Sequence, residues 1–472
     1  MRSPGLCRVG VFACAFILGI AADAQTLDRT KPPASPPAKP YKLPPVSETK
    51  LPNGLTVILA EDARFPLVTT RLAFLAGNKR DPQDLPGLAA SVAAMLEQGT
   101  KTRSYQQIAE ELDDMGAVLN AVAGADGITV DGSVLSENSG KLLALISDLA
   151  RNATFPDSEL ALQKQNRKQT LSVQHSQPGF LANEEFRKLL FGDQPYAHIG
   201  PTVASVDKMD RTALVNFRDT FLVPNNAFLV IVGKFNRTEI LKTVTNEFGA
   251  WQQKSVPAYT APAPPPAKRQ LVLVDRPGSV QADVRMGKIS PTYRDPQFFP
   301  ESVGSLVEGG GPSSRLFLDI REKRGFAYDV HTETAGLADA ATFSVVTQLR
   351  NDIAADGVQG ILEHLDRMAK EPVTAQELSD AKAYADGTFL LSMEPQRGLA
   401  DRLVQIRVLN QPKDYVEAYV THINSVEPDQ ILSAAKKIMA TDDDAIVVVG
   451  DAAKIQQSLE KIGKFEVVKP VQ

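Results

Sequence analysis

Two side chains that can donate hydrogen bonds to a developing negative charge, Arg321 and Tyr328, lie seven residues apart in the second half of the chain. An arginine guanidinium and a tyrosine hydroxyl are both suitable donors to the oxyanion that forms when a carbonyl group is attacked. The residues alone also fit a simpler interpretation, in which residues 321–324 form a solvated helix face and Tyr328 is half-buried in a strand. The chemistry of the two side chains allows an oxyanion site, and the residues alone leave both interpretations open.

Three consecutive glycines, Gly309, Gly310 and Gly311, precede this pair, and Ser314 follows them closely. Glycine allows the backbone to approach a ligand, which would make this loop a substrate-binding element, although a plain turn explains it equally well. A phosphate-binding loop is excluded, because that loop requires G-x-x-x-x-G-K-[ST] and the sequence here has neither the lysine nor the spacing.

Metal ligands and nucleophiles are sparse elsewhere in the sequence. Zinc sites on a helix need two histidines one turn apart, and no two of the five histidines have that spacing. A site assembled from His175 and His198 across the fold is the alternative. Both cysteines, Cys7 and Cys14, lie close to the N-terminus in a segment that we expect to be removed. The mature chain is therefore predicted to bind no metal and to have no thiol nucleophile.

The first 24 residues have the pattern of a secretory signal peptide. Arg2 and Arg8 precede the apolar run 9–18, which is too short to span a bilayer, and an A-x-A cleavage site ends at Ala24. A retained anchor is the alternative. We expect cleavage before Gln25, export to a bacterial periplasm and no membrane attachment afterwards.

The composition is that of an ordinary globular protein. Of the 472 residues, 43% are apolar and 23% are charged, and the net charge is -5. This length favours more than one domain, and the mild acidity argues against a nucleic-acid partner, which would require a basic patch or stripe.

Two Pro-rich segments divide the mature chain. We interpret residues 25–47 as an extended tether and residues 257–268 as a linker between two halves, 48–256 and 269–472. Each half contains one amphipathic helix pattern and one strand-like run that ends in glycine, separated from their counterparts by 216 and 217 residues. These positions are Leu142, Leu145, Ile146 and Leu149 with Val358, Ile361, Leu362 and Leu365, and Val230–Gly233 with Val447–Gly450. The pattern predicts a tandem duplication of an α+β domain of about 200 residues.

Residues 86–97, Pro-Gly-Leu-Ala-Ala-Ser-Val-Ala-Ala-Met-Leu-Glu, predict an alanine-rich helix that ends before Gly99. This helix, the Leu-Pro-Asn-Gly-Leu segment at 51–55 and the Arg-Glu-x-x-Gly-x-x-Tyr segment at 321–328 resemble the pitrilysin/insulinase family of zinc metallopeptidases. The family includes the mitochondrial processing peptidase. The resemblance covers residues 48–465 and implies two tandem α/β domains that form one half of a clamshell.

Catalytic members of this family carry H-x-x-E-H on the helix, with two histidines that hold zinc and a glutamate that acts as general base. Here Ala90 and Ala94 stand at the histidine positions and Ala93 stands at the glutamate position. The third ligand, a glutamate on a later helix, aligns with Ala161 or Gln163. The resemblance therefore implies that this chain holds no zinc and is inactive alone.

Some family members consist of two chains, one with the zinc motif and one without it. This chain is similar to the second type, the non-catalytic subunit, which implies a zinc-containing paralogue as heterodimer partner and an unstructured peptide as substrate. Arg321 and Tyr328 would then stabilise the transition state in trans, and Gly309, Gly310, Gly311 and Ser314 would bind substrate. The alternative is a catalytically inert scaffold or peptide-binding protein of the same fold.

Overall fold

The computed structural model describes residues 42–470, so the predicted signal peptide and most of the Pro-rich tether lie outside the described residues. The tether is shorter than predicted, because Val46 and Ser47 already belong to the first strand. No helix in the described range is long and apolar enough to cross a membrane.

The first half contains a mixed sheet with helices packed on it. Its strands are β1 (Val46–Lys50), β2 (Thr56–Glu61), β3 (Leu67–Phe74), β4 (Val118–Ala123), β5 (Ile128–Leu135) and β6 (Ala227–Gly233). Its helices are α1 (Leu88–Met95), α2 (Tyr105–Met115), α3 (Ser139–Asn152), α4 (Asp157–His175), α5 (Pro178–Phe191), α6 (Val203–Lys208), α7 (Arg211–Phe221) and α8 (Arg237–Phe248).

The second half repeats this arrangement. Its strands are β7 (Gln270–Asp275), β8 (Gln281–Ser290), β9 (Ala327–Gly336), β10 (Ala341–Arg350), β11 (Ala445–Gly450) and β12 (Glu466–Val468). Its helices are α9 (Phe298–Gly309), α10 (Ala354–Met368), α11 (Ala375–Met393), α12 (Gln396–Val408), α13 (Tyr415–Asn424), α14 (Pro428–Ile438) and α15 (Ala452–Leu459). A π-helical segment, Phe317–Lys323, lies between α9 and β9.

The order of strands confirms the predicted duplication. The first sheet has the order β1-β2-β6-β3-β5-β4, and the second has the order β12-β7-β11-β8-β10-β9. In each sheet the glycine-ended run is a central strand, parallel to one neighbour and antiparallel to the other. The two sheets differ at one edge. The edge strand of the first sheet, β1, comes from the N-terminal end of its half, whereas that of the second sheet, β12, comes from the C-terminal end of its half.

A repeated tetrapeptide aligns the helices α1 and α9. Arg-Asp-Pro-Gln occurs at 80–83 and again at 294–297, 214 residues later, just before each helix. At this offset Ala94 of α1 corresponds to Glu308 of α9. The helices therefore occupy equivalent places in the two halves, although their polar residues differ.

Each half lends one helix to the other half's sheet. Helix α5 packs on β7, β8 and β11, where Phe186 is fully buried in a cluster that includes Val272 and Val447. Helix α12 packs on β3 and β6, where Leu399 contacts Val230 in an equivalent cluster. Because helices cover both faces of both sheets, the glycine-ended strands β6 and β11 are apolar throughout instead of alternating.

Two arginines at equivalent positions, Arg71 on β3 and Arg285 on β8, lie beneath these exchanged helices. The Arg71 side chain is 4% exposed and pairs with Asp401 of α12 at 2.8 Å. The Arg285 guanidinium lies 5.8 Å from the ring centroid of Phe186 of α5. The reciprocal contact is therefore polar as well as apolar.

The predicted linker, residues 257–268, contains no helix or strand. It is held against the first half by its carbonyl groups: Arg80 donates to the carbonyl of Pro257 at 3.0 Å, and Gln194 donates to that of Pro262 at 2.7 Å. Proline has no N–H group to donate, so the carbonyl groups provide these contacts.

Candidate functional site

Helix α1, the predicted alanine-rich helix, begins after Gly87, whose φ of +88° favours glycine. The Asp81 carboxylate accepts hydrogen bonds from the N–H groups of Gly87 at 2.7 Å and Ala89 at 2.8 Å, which satisfies groups that the helix itself leaves unpaired. Burial of Asp81 raises its pKa to about 7 despite these bonds. This acid is therefore a helix cap rather than a zinc ligand.

A cavity of about 250 Å³ separates α1 from α4 at the place where the family's zinc motif would lie. Ala94 lines it from α1, and Gln163, Asn166, Arg167 and Thr170 line it from α4. Ala161, the other candidate for the third-ligand position, is exposed on α4 and does not line the cavity. Of the remaining motif positions, Ala90 is half-buried and Ala93 is 1% exposed.

The residues around this cavity do not fit a zinc ion. Zinc in proteins is held by imidazole, thiolate and carboxylate groups, and the wall offers amide and hydroxyl groups with a single carboxylate, Glu159. Burial lowers the pKa of Arg167, but a guanidinium remains charged in proteins and would repel a divalent cation. Between residues 42 and 470 no cluster of histidine and acidic side chains is arranged to hold a metal.

The scattered histidines do not assemble a substitute site. His175 ends α4, where its Nε2 lies 3.4 Å from the Glu184 carboxylate and its ring contacts Phe180. His198 lines a different cavity, beside the start of α1. These two side chains therefore lie in separate environments and do not form one site.

In the second half, α9 carries two buried acids. Glu301 is 1% exposed and Glu308 is fully buried. The Glu308 carboxylate lies 3.4 Å from Nδ1 of His364 on α10, whose Nε2 lies 2.9 Å from the Asp319 carboxylate. Asp319 belongs to the π-helical segment, so this chain of contacts ties that segment to α9 and α10.

Substitution of Glu301 by glutamine is expected to change the pH dependence of stability. Burial raises the pKa of Glu301 to about 8, so the folded protein keeps a proton that the unfolded chain releases above pH 4.5. The free energy of unfolding of the wild type should therefore fall as the pH rises from about 4.5 to about 8. Because glutamine stays neutral, Glu301→Gln should be more stable than the wild type at pH 9 by about 5 kcal/mol, with the difference vanishing near pH 4.

Urea unfolding at several pH values measures this difference. The exposed Glu363 on α10 provides the control, since Glu363→Gln should follow the wild-type curve at every pH. Parallel curves for Glu301→Gln and the wild type would show that Glu301 ionises as an ordinary carboxyl group.

The three glycines after α9 have different surroundings. A Cβ on Gly309 would lie 2.5 Å from the backbone nitrogen of Thr332, so this position needs glycine for packing. Gly310, Gly311 and Ser314 line a cavity of about 270 Å³ beside Tyr384 of α11. The hydroxyl of Ser314 is buried and has no hydrogen-bond partner among the described residues. Neither Arg321 nor Tyr328 lines this cavity, so the predicted site residues fall into two groups.

The structure brings Arg321 and Tyr328 together. Arg321 lies in the last turn of the π-helical segment, the chain reverses at Gly325 with φ +64°, and Tyr328 is the second residue of β9. The Arg321 guanidinium lies 5.0 Å from the Tyr328 ring centroid and 4.5 Å from that of Phe317, within cation–π range. The Arg321 side chain is 33% exposed, and Tyr328 is 84% exposed. The simpler interpretation of Tyr328 as half-buried is therefore wrong, since β9 is an edge strand of its sheet.

Two ion pairs fix the segment that carries Arg321. Arg315 binds both oxygens of the Glu377 carboxylate, at 2.7 and 2.9 Å, and this contact lowers the pKa of Glu377 to about 2. Asp319 pairs with Arg324 at 2.7 Å. Arg315 and Arg324 are therefore occupied by carboxylates of non-adjacent residues, whereas the only ion pair of Arg321 among the described residues is with its neighbour Glu322, at 3.4 Å. The arrangement offers a guanidinium and a phenol to a carbonyl oxygen.

Sequence reasoning missed several residues at these sites. Asn166 and Thr170 line the same cavity as Ala94. They lie three and seven residues after Gln163, on the same helix face, so they could have been identified once Gln163 was taken as the third-ligand position. The buried Glu308 could have been found from the Arg-Asp-Pro-Gln repeat, which aligns it with Ala94.

Comparisons with known proteins agree with this geometry. The model of the insulinase family (peptidase family M16) matches residues 56–197, and the model of the peptidase M16 inactive domain matches residues 208–384. An uncharacterized zinc protease of Rickettsia bellii is 26% identical over 396 residues, which cover 84% of this chain and 92% of that protein. One of Streptomyces coelicolor is 23% identical over 400 residues, covering 84% and 87% respectively.

Solved structures share the fold. The peptidase M16 inactive domain from Pseudomonas fluorescens superposes with a TM-score of 0.80 at 25% identity, covering 86% of this chain and 98% of that one. A protease from Helicobacter pylori also superposes with a TM-score of 0.80, at 18% identity, covering 87% and 100%. The two family models together span both halves, while alanines occupy the zinc-motif positions. The chain therefore belongs to the insulinase family of peptidases, M16, and is of its non-catalytic type.

Proposed function

We propose that this protein is the non-catalytic subunit of a heterodimeric zinc metallopeptidase. It binds an unstructured peptide and supplies Arg321 and Tyr328 to the transition state, while a zinc-containing paralogue supplies the metal and the general base. The observation that carries this proposal is the contact between Arg321 and Tyr328: the Tyr328 side chain is 84% exposed, and among the described residues the only carboxylate beside Arg321 is that of its exposed neighbour Glu322.

The exposure of Tyr328 favours an assembly over a single chain. Hydrogen-bond donors stabilise an oxyanion strongly only where water is excluded, and a side chain that is 84% exposed does not meet that condition alone. A second surface that closes over β9 would provide the dry environment. The clamshell arrangement of two such chains meets this requirement.

The position of Tyr328 also suits a peptide ligand. Strand β9 is at the edge of the second sheet, so one side of its backbone is free to pair with an extended segment. Extended peptides commonly bind by adding a strand to such an edge. A substrate bound there would pass beside the Arg321 and Tyr328 side chains. We place this complex in the periplasm, on the pattern of the signal peptide.

Purification of the tagged full-length chain from its native host tests the proposal. We expect a family paralogue with an intact H-x-x-E-H motif to co-purify, with one zinc per heterodimer and peptide cleavage by the complex. The separated chain should contain no stoichiometric zinc after dialysis against a mild chelator. One tight zinc on the isolated chain would overturn the assignment, and a stable complex without peptidase activity would identify an inert scaffold.

A further inference from the structure

A second cavity in the second half has features that the proposed subunit role does not use. It has a volume of about 360 Å³ and lies among the loop before α9, the turn between β9 and β10, and helices α11 to α13. Aromatic rings form much of its wall, namely Tyr293, Phe298, Phe389, Tyr415 and Tyr419. Cavities of this size with aromatic walls and a few polar groups are typical of small-molecule sites.

The rings form an ordered surface. Phe389 and Tyr419 are stacked, with ring centroids 3.7 Å apart and planes 12° from parallel. Burial raises the pKa of both Tyr415 and Tyr419, so their hydroxyl groups stay neutral and can donate hydrogen bonds. The wall therefore offers flat apolar area together with phenol donors.

Arg402 of α12 is the cation of this cavity. Its guanidinium lies 5.0 Å from the Phe389 ring centroid and donates to Oε1 of Gln405 at 2.6 Å. Within residues 42–470 it forms no ion pair, whereas Arg397 and Arg407 on the same helix both contact carboxylates. A half-buried guanidinium without a carboxylate partner has donors that an anionic ligand can fill.

One further polar atom of the wall is unsatisfied. Oε1 of Gln411 is buried and has no hydrogen-bond partner in the described part of the chain. Buried polar atoms usually have partners, so this atom could accept a hydrogen bond from a ligand or a solvent molecule.

The equivalent cavity of the first half has the opposite character. It lies between the loop before α1 and the segment after α5, has a volume of about 540 Å³, and is lined by Asp81, Asp193 and His198, with no arginine or lysine from residues 42–470. The duplication thus produced two cavities at corresponding places, and of the two only the one in the second half has an arginine in its described wall. If both cavities were only consequences of how each half packs, they would not need to differ in charge.

We propose that the cavity around Arg402 binds a small monocarboxylate with an aromatic body. The carboxylate would accept hydrogen bonds from Arg402, and the ring would pack on Tyr293 and Phe298, which line the cavity and are only half-buried. A single guanidinium suits a single negative charge, and the aromatic walls favour a flat apolar ligand over phosphate. The proposal does not depend on the zinc-containing partner, because every residue that it uses belongs to this chain.

Isothermal titration calorimetry of the full mature chain with 3-phenylpropionate tests the proposal, with 3-phenylpropanamide as the uncharged probe. We expect saturable binding of the acid at one site and markedly weaker binding of the amide. Arg402→Gln should weaken binding of the acid by about tenfold or more and leave binding of the amide unchanged. Arg397→Gln, an exposed position on the same helix, should bind the acid as the wild type does.

Phe298→Leu should weaken both probes, because it removes a ring on which the ligand packs. Circular dichroism of each variant checks that the fold is retained. Equal binding of acid and amide by the wild type would overturn the proposal without reference to any variant. Wild-type affinity in folded Arg402→Gln, or no saturable binding at millimolar 3-phenylpropionate, would overturn it as well.

Discussion

Tyr328→Phe and Arg321→Ala are each expected to lower the turnover number of the assembled peptidase by about a hundredfold while leaving the complex intact. The tyrosine change removes one hydroxyl and keeps the ring, so the contact between the ring and the Arg321 guanidinium survives. The loss should appear mainly in kcat, because the oxyanion exists only after the carbonyl has been attacked. Arg321→Lys should also fail, since an ammonium group does not reproduce the guanidinium fork.

The measurement compares kcat and KM for an unstructured peptide across these complexes, with a pull-down that confirms assembly. Lys323→Ala is the matched control, because Lys323 lies in the same π-helical segment and its side chain is 81% exposed. Complexes of Tyr328→Phe that assemble and cleave at the wild-type rate would leave the protein as a scaffold or peptide-binding surface.

Phe186→Ala is expected to destabilise the whole protein by about 3–5 kcal/mol. Phe186 is fully buried on α5, a helix of the first half, and packs against strands of the second half. Truncation would open a cavity in the contact between the halves and remove the ring beneath the Arg285 guanidinium. Both halves should therefore lose stability together.

Denaturant unfolding monitored by circular dichroism measures this loss. Phe65→Ala serves as the control, because Phe65 is 57% exposed and its truncation should change stability by less than about 0.5 kcal/mol. A cost below about 1 kcal/mol for Phe186→Ala would show that the contact between the halves contributes little to folding.

The repeated architecture could be predicted from sequence because its signals are local. The spacing of Leu142, Leu145, Ile146 and Leu149 defines one face of a helix, and all four side chains are fully buried in α3. The glycine-ended runs are also a local signal, because β-branched residues favour strands, and β6 and β11 match them. A second copy of each pattern at the same distance then predicts a second copy of the domain.

The exchange of α5 and α12 could not be predicted in this way. An amphipathic helix shows that it has an apolar face, but not which sheet it will cover, because the hydrophobic effect is non-directional. The paired charges of Arg71 and Asp401, 330 residues apart, are visible only once the fold has brought them within 2.8 Å.

The sequence identified the residues of the candidate site but not their exposure or the elements around them. Arg321 and Tyr328 were identified from the resemblance of residues 321–328 to the family's motif, and they lie side by side, because Gly325 reverses the chain between them. The exposure of Tyr328 depends on β9 being an edge strand, which is a property of the sheet order. Likewise the face of α4 that meets Ala94 is fixed by how the two helices cross, so sequence could not choose between Ala161 and Gln163.

The exchanged helices also bear on how such a chain could arise. Two separate half-length chains related by a twofold axis would bury the same surfaces, each placing the helix that corresponds to α5 or α12 on the partner's sheet, as in an isologous dimer. Joining the two copies end to end would then require a connecting segment and no new contact surface. The proline-rich stretch at 257–268 is such a connection, and the different edge strands β1 and β12 are where the two copies have since diverged.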